Sequence, residues 1–131
     1  MITKSPSGSL SPYYYKGGYF HGMHYGSYFD DMESFLSMMA AEEDFILSSP
    51  QRRRVMIDLY ETSLTKSGLD AFVAHIERIK GKIVKLGISC EKKKLAEIKK
   101  ALYSGCSLEK GLMYFTPDME DGKTWLVSDH A

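Results

Sequence analysis

The sequence predicts one α/β domain: a mostly parallel four-stranded sheet with helices alternating in sequence, β-α-β-α-β-α-β-α. Three observations predict it. Short apolar runs rich in strand formers recur along the chain. Segments with apolar residues at helical spacing separate them. Strands joined through helices in this way become parallel neighbours by right-handed crossovers. The chain has 131 residues, which fits one compact domain, assigned to residues 13–131. A chain of this length buries enough surface to fold without disulfides or a metal.

Residues 1–12, MITKSPSGSLSP, are polar and rich in Ser, Pro and Gly, and read as a flexible tail. Residues 13–25 follow as a strand or hairpin, because aromatic residues favour strands and Gly17 and Gly18 mark a turn or bulge. Asp30 with Glu33 three residues later resembles a helix start. Phe29, Met32, Leu36, Met39, Ala40 and Ile46 then recur at helical spacing, giving a helix over 30–47 that Pro50 stops. Arg54 to Tyr60 reads as a buried strand. Thr65 caps a helix carrying Leu69, Phe72, Val73, Ile76 and Ile79, and Gly81 lies past its end. Lys82 to Ile88 is a further buried strand. A helix over Glu91–Tyr103 follows, with Leu95, Ile98, Ala101 and Leu102 on one face. Leu112 to Phe115 is the last strand, and Pro117 opens a final helix with Met119, Trp125, Leu126 and Val127.

Charge narrows the function classes. Lys+Arg and Asp+Glu are both 17, so the formal net charge is zero. That removes a strong global field for nucleic acid. The zero conceals blocks. Asp30 to Asp44 holds six acidic residues and no Lys or Arg. Arg78 to Lys100 holds nine basic residues against Glu91 and Glu97. Lys92, Lys93 and Lys94 with Lys99 and Lys100 form a basic patch on the third helix. Such a patch suits an anionic ligand or an acidic protein, or else is a solvated face. Nucleic acid ranks below these, because no aromatic side chain is interleaved there for base stacking. The acidic first helix opens the alternative of a homodimer.

The candidate chemistry is sparse. His21 and His24 offer two ligands at close spacing, short of the three a catalytic zinc takes. His75 and His130 are distant, and HExxH and CxxC are missing, so no metal or other cofactor is expected. Tyr19, His21, His24 and Tyr25 instead form a candidate ligand pocket, since these side chains join apolar bodies to polar tips. Asp58, at a strand end, is a candidate acid or base, or a turn partner. Cys90 lies after a strand and reads as a small buried thiol. Two cysteines are too few for a disulfide scaffold. The start lacks a basic segment followed by an apolar run, and no run nears the ~20 residues of a membrane-spanning helix. The expectation is a cytoplasmic protein with reduced thiols.

Val55-Met-Ile-Asp58-Leu59, then Ser67-Gly68-Leu69, then Lys82-Ile-Val-Lys-Leu-Gly-Ile88 resemble a STAS domain, as in the sporulation anti-sigma-factor antagonists. Met113 to Leu126, with Trp125, is similar to the end of small bacterial STAS/CRAL-TRIO-like proteins. The resemblance covers about the last two-thirds of the chain. It implies a non-enzymatic regulatory module that binds a protein, and it makes Ser67 a phosphosite, with Thr65 and Asp58 beside it. The family has an acidic residue two positions before that serine and a small one just before it. Thr65 and Lys66 stand there in this chain. The competing expectation is a small enzyme or apolar-ligand-binding protein that uses the Tyr/His-rich segment 13–28.

Overall fold

The computed structural model describes residues 3–129. Among them the α/β architecture is realised with four helices and a five-stranded mixed sheet, preceded by a small antiparallel pair. Strand β3 (Tyr13–Tyr15) turns through Lys16 and Gly17, both at positive φ, into β4 (Gly18–His24). Left-handed residues at both turn positions suit a two-residue hairpin, because they match the twist of the paired strands. β4 then runs parallel to β5 (Arg53–Asp58), β5 to β6 (Ile83–Ser89), and β6 to β7 (Met113–Thr116). The four expected strands are present as the parallel portion. The fifth strand arises because the aromatic segment folds back on itself as a hairpin.

The sheet order β3-β4-β5-β6-β7 fixes where the helices go. Each parallel crossover steps in the same direction, so right-handed connections place three helices on one face. These are α1 (Met32–Leu47), α2 (Lys66–Ile79) and α3 (Lys92–Gly105), packed side by side. Helix α4 (Met119–Val127) follows the last strand and covers the other face. Alternation along β5 feeds both layers. Val55 and Ile57 enter the large core under α1–α3, and Met56 enters a smaller core with Phe20, Leu126 and Val127.

Local chemistry explains the helix starts. Asp31, not Asp30, caps α1 by accepting from Ser34 N at 3.1 Å. Thr65 caps α2 as the sequence predicts, its hydroxyl accepting from Gly68 N at 3.0 Å. Pro117 precedes α4, and Asp118 caps it. The buried stripe of α1 is Phe35, Met39, Glu42 and Ile46. Leu36, expected on that stripe, is 42% exposed.

Residues 3–12, read from composition as a flexible tail, form β1 (Thr3–Lys4) and β2 (Leu10–Ser11) instead. Residues 1 and 2 lie outside the described residues. Ser5, Ser9 and Ser11 are buried. This pair covers β4 beyond its pairing with β3, where His24 N donates to Ser7 Oγ at 3.0 Å. Gly22 eases the approach, because a Cβ there would come 2.8 Å from Ser9 Oγ and the hydroxyl would have to turn away.

Candidate functional site

The carboxyl edge of a parallel sheet is where α/β folds usually place ligands and partners. Here two loops there are laced together. Tyr25 N donates to Asp58 O, Ser27 N to Tyr60 O and Phe29 N to Glu61 O, at 2.7–2.9 Å. Ser63 N returns a bond to Phe29 O at 2.7 Å. The Thr62 hydroxyl donates to Tyr25 O and accepts from Tyr28 N. Ser27, Phe29 and Glu61 hold positive φ values of 63°, 53° and 58°. For residues other than glycine this conformation costs about 1 kcal/mol or more each. The lacing maintains it, and Phe29 is left 58% exposed.

Ser67 and Thr65 lie beside this platform. Both are exposed in the opening of α2, and their hydroxyls are 3.2 Å apart. Met32, in the first turn of α1, reaches across to Gly68. Asp58 is not brought to Ser67. Its carboxylate accepts from Tyr60 N at 2.9 Å, and it lines a cavity of about 170 Å³ on the α4 face with His24 and Lys123. Asp58 is therefore a turn partner on the far side of the sheet from α2.

The four residues predicted to share a pocket are divided among three environments. His24 is exposed on the α4 face. Tyr19 is half exposed and stands edge-on to Tyr14. Strand alternation sends His21 and Tyr25 to the opposite face, under α1 and α2. There Tyr25 O–H donates to His75 Nε2 at 2.8 Å, and His75 Nδ1 donates to Glu43 at 2.9 Å. Arg78 Nε donates to the other Glu43 oxygen at 2.8 Å. Burial, then Glu42 and Glu43, push the Tyr25 phenol far above its ordinary value. Burial also pushes His75 down, against the pull of Glu43, and keeps it neutral as the acceptor for Tyr25.

His21 makes a second, parallel arrangement. Its Nε2 donates to Glu42 at 2.8 Å, and its Nδ1 lies 2.7 Å from Ser11 Oγ. Ser7 donates its N–H and hydroxyl to the remaining Glu42 oxygen. A serine, a histidine and a carboxylate in line is the order of a nucleophile relay. Ser11, however, is 2% exposed and Glu42 is wholly buried, so the line fastens the N-terminal strands to the sheet. Sequence reasoning missed Glu42, Glu43, Ser7 and Ser11. The available signal was Glu42 itself, a carboxylate at a core position of an otherwise apolar stripe.

The basic patch is partly consumed by packing. Lys94 lies 3.7 Å from Glu91, and Lys99 stands over the Tyr103 ring. Lys92, Lys93, Lys99 and Lys100 are exposed along α3. Burial first, then Glu91, push the Cys90 thiol up to about 11. Among the described residues no group of three His, Cys, Asp or Glu side chains is placed to hold a metal, and His130 lies outside them. No helix among them is long and apolar enough to cross a membrane. Comparison of the chain with protein families, curated proteins and solved structures returned no match.

Proposed function

We propose that this chain is a non-enzymatic binding module that docks a protein partner on the carboxyl edge of its sheet and is switched at Ser67. The observation that carries the reading is the exposed Phe29, held at positive φ by backbone bonds from two loops, beside the exposed opening of α2. An aromatic side chain presented rigidly loses little entropy on binding, and such residues supply much of the energy of interfaces. A phosphate on Ser67 would add charge at a helix start, where backbone N–H groups and the helix dipole stabilise it. It would also alter the surface beside Phe29. The resemblance to STAS antagonists supports the same serine. In this reading the half-buried and buried His–Glu pairs hold the scaffold, and Lys92, Lys93, Lys99 and Lys100 are a flanking solvated face.

The test is native mass spectrometry of the chain purified from its source, alongside Ser67→Asp and Ser67→Ala. The unmodified chain and Ser67→Ala are expected to retain a protein partner, and Ser67→Asp to lose it with its circular dichroism unchanged. Equal partner retention by all three forms would overturn the switch.

A further inference from the structure

At the opposite edge of the sheet, the parallel pairing of β4 with β5 begins only at His21 and Val55. The preceding residues, Tyr19 and Phe20 on β4 and Arg53 and Arg54 on β5, separate and leave a cleft of about 250 Å³. On the far side of β5, the register shifts between Arg53 and Arg54, which pair with Ile83 and Lys85 and leave Val84 without an opposite residue. A bulge of this kind re-aims a side chain, and Val84 lines the cleft. Its apolar walls come from Tyr19, Phe20 and Val84, and Arg52 and Arg53 bring positive charge.

The charge there is incompletely answered. Arg52 donates to Ile83 O at 3.1 Å, and Arg54 pairs with Asp129 at 3.4 Å. Arg53 stacks its guanidinium over Phe45 at 5.4 Å, yet its buried Nη1 has no hydrogen-bond partner among the described residues. Glu42, which bonds His21 and Ser7, acts on Arg53 through its charge, and no hydrogen bond joins it to Nη1. Nη1 itself is closed off from solvent, but the Arg53 side chain is only partly buried and lines the cleft, so the rest of its fork offers charged N–H donors to an anion there. Arginine presents a planar fork that fits phosphate and carboxylate groups.

We propose that this cleft binds a small organic anion, with a phosphate or carboxylate head at Arg53 and an apolar body against Tyr19, Phe20 and Val84. The site is independent of the carboxyl edge. It lies at the other end of β5 from Ser67.

The test is amide chemical-shift mapping by NMR on the full chain, with phenyl phosphate, benzoate, inorganic phosphate and benzyl alcohol as probes. Saturable shifts confined to 19–21, 52–54 and 84 are expected for phenyl phosphate or benzoate. Inorganic phosphate and benzyl alcohol each lack one half of the recognition and are expected to bind at least ~10-fold more weakly. Short-chain phosphatidic acid carries the same head on a lipid body. Binding of either it or phenyl phosphate in the cleft supports the site, and the tighter of the two tells a lipid source from a soluble ester. Arg53→Met is expected to weaken binding ~10-fold or more. Tyr19→Ala, at a half-exposed wall, is expected to weaken it several-fold with circular dichroism unchanged. Ser67→Asp is expected to bind like the unmodified chain, which separates this site from the partner surface. No saturable shift in the cleft with millimolar probe, shifts confined to the α3 lysines, or Arg53→Met binding undiminished would each overturn the proposal.

Discussion

Glu42 Oε1 lies 2.8 Å from His21 Nε2, with both side chains fully buried. The contact joins α1 to β4, and through Ser7 and Ser11 it also fixes the first strands of the chain. Removing one partner of such a pair is costly, because the other is left buried and unanswered. Glu42→Ala is expected to lower the unfolding free energy by about 3 kcal/mol. Glu42→Gln, which keeps an acceptor oxygen, should lose less. Urea denaturation measures both. Hydrogen exchange at His24 N should rise in Glu42→Ala, since its acceptor Ser7 is then untethered. A loss under about 1 kcal/mol in Glu42→Ala, within the range of an ordinary surface change, would show that the pair is not an anchor.

Glu43, the next residue, holds the second buried histidine, and this sets the pH response. Burial lowers His75 below its ordinary 6.5, and the Glu43 contact only partly opposes this. A histidine depressed in the folded state takes up its proton more readily when unfolded. Its contribution to stability is therefore complete above pH 6.5 and is lost as the pH falls below that value. For Glu42 and Glu43 burial raises the carboxyl pKa. Hydrogen bonds from His21 and Ser7, and from Arg78 and His75, outweigh it and hold both below the ordinary 4.5. Their contributions have the same sign and are lost below pH 4.5. Stability by urea denaturation should thus decline in two stages between pH 8 and pH 3.5. His75→Gln should flatten the upper stage and leave the lower one. A flat profile from pH 7 to pH 5 in the unmodified chain would refute the assignment to His75.

The sheet and its helices were legible because hydrophobic period and capping are local signals. Val55, Ile57, Leu86 and Ile88 announce buried strands by composition, and Thr65 announces a helix start by its hydroxyl. The candidate site was legible only in part. Ser67 stands at a helix opening whose position the sequence predicts. Phe29 looks like the first member of a helical stripe, and its exposure depends on bonds to Glu61 and Ser63, over thirty residues away. The division of His21 from His24 turns on strand register, where one residue exchanges the faces of the sheet. Ser5, Ser7, Ser9 and Ser11 read as a loop composition. Their order comes from Glu42 and from the open edge of β4, which no short window of sequence contains.

Phe29 allows docking to be separated from packing. In a core role its removal would open a cavity and cost about 3 kcal/mol or more. In a docking role the side chain contributes little to the isolated fold, and its positive φ is a strain of about 1 kcal/mol that glycine relieves. Glycine also raises the entropy of the unfolded chain by up to about 1 kcal/mol, so the two effects nearly cancel. Phe29→Gly is accordingly expected to unfold within about 1 kcal/mol of the unmodified chain in urea. The same variant should retain the co-purifying partner at least ~10-fold less well, as truncation of an interface aromatic does. Phe29→Ala keeps the strained backbone but adds no unfolded-chain entropy, so it should lose the partner equally and unfold within about 1 kcal/mol of Phe29→Gly. A stability loss above about 2 kcal/mol in Phe29→Gly, with partner retention unchanged, would assign Phe29 to the fold and remove it from the docking surface.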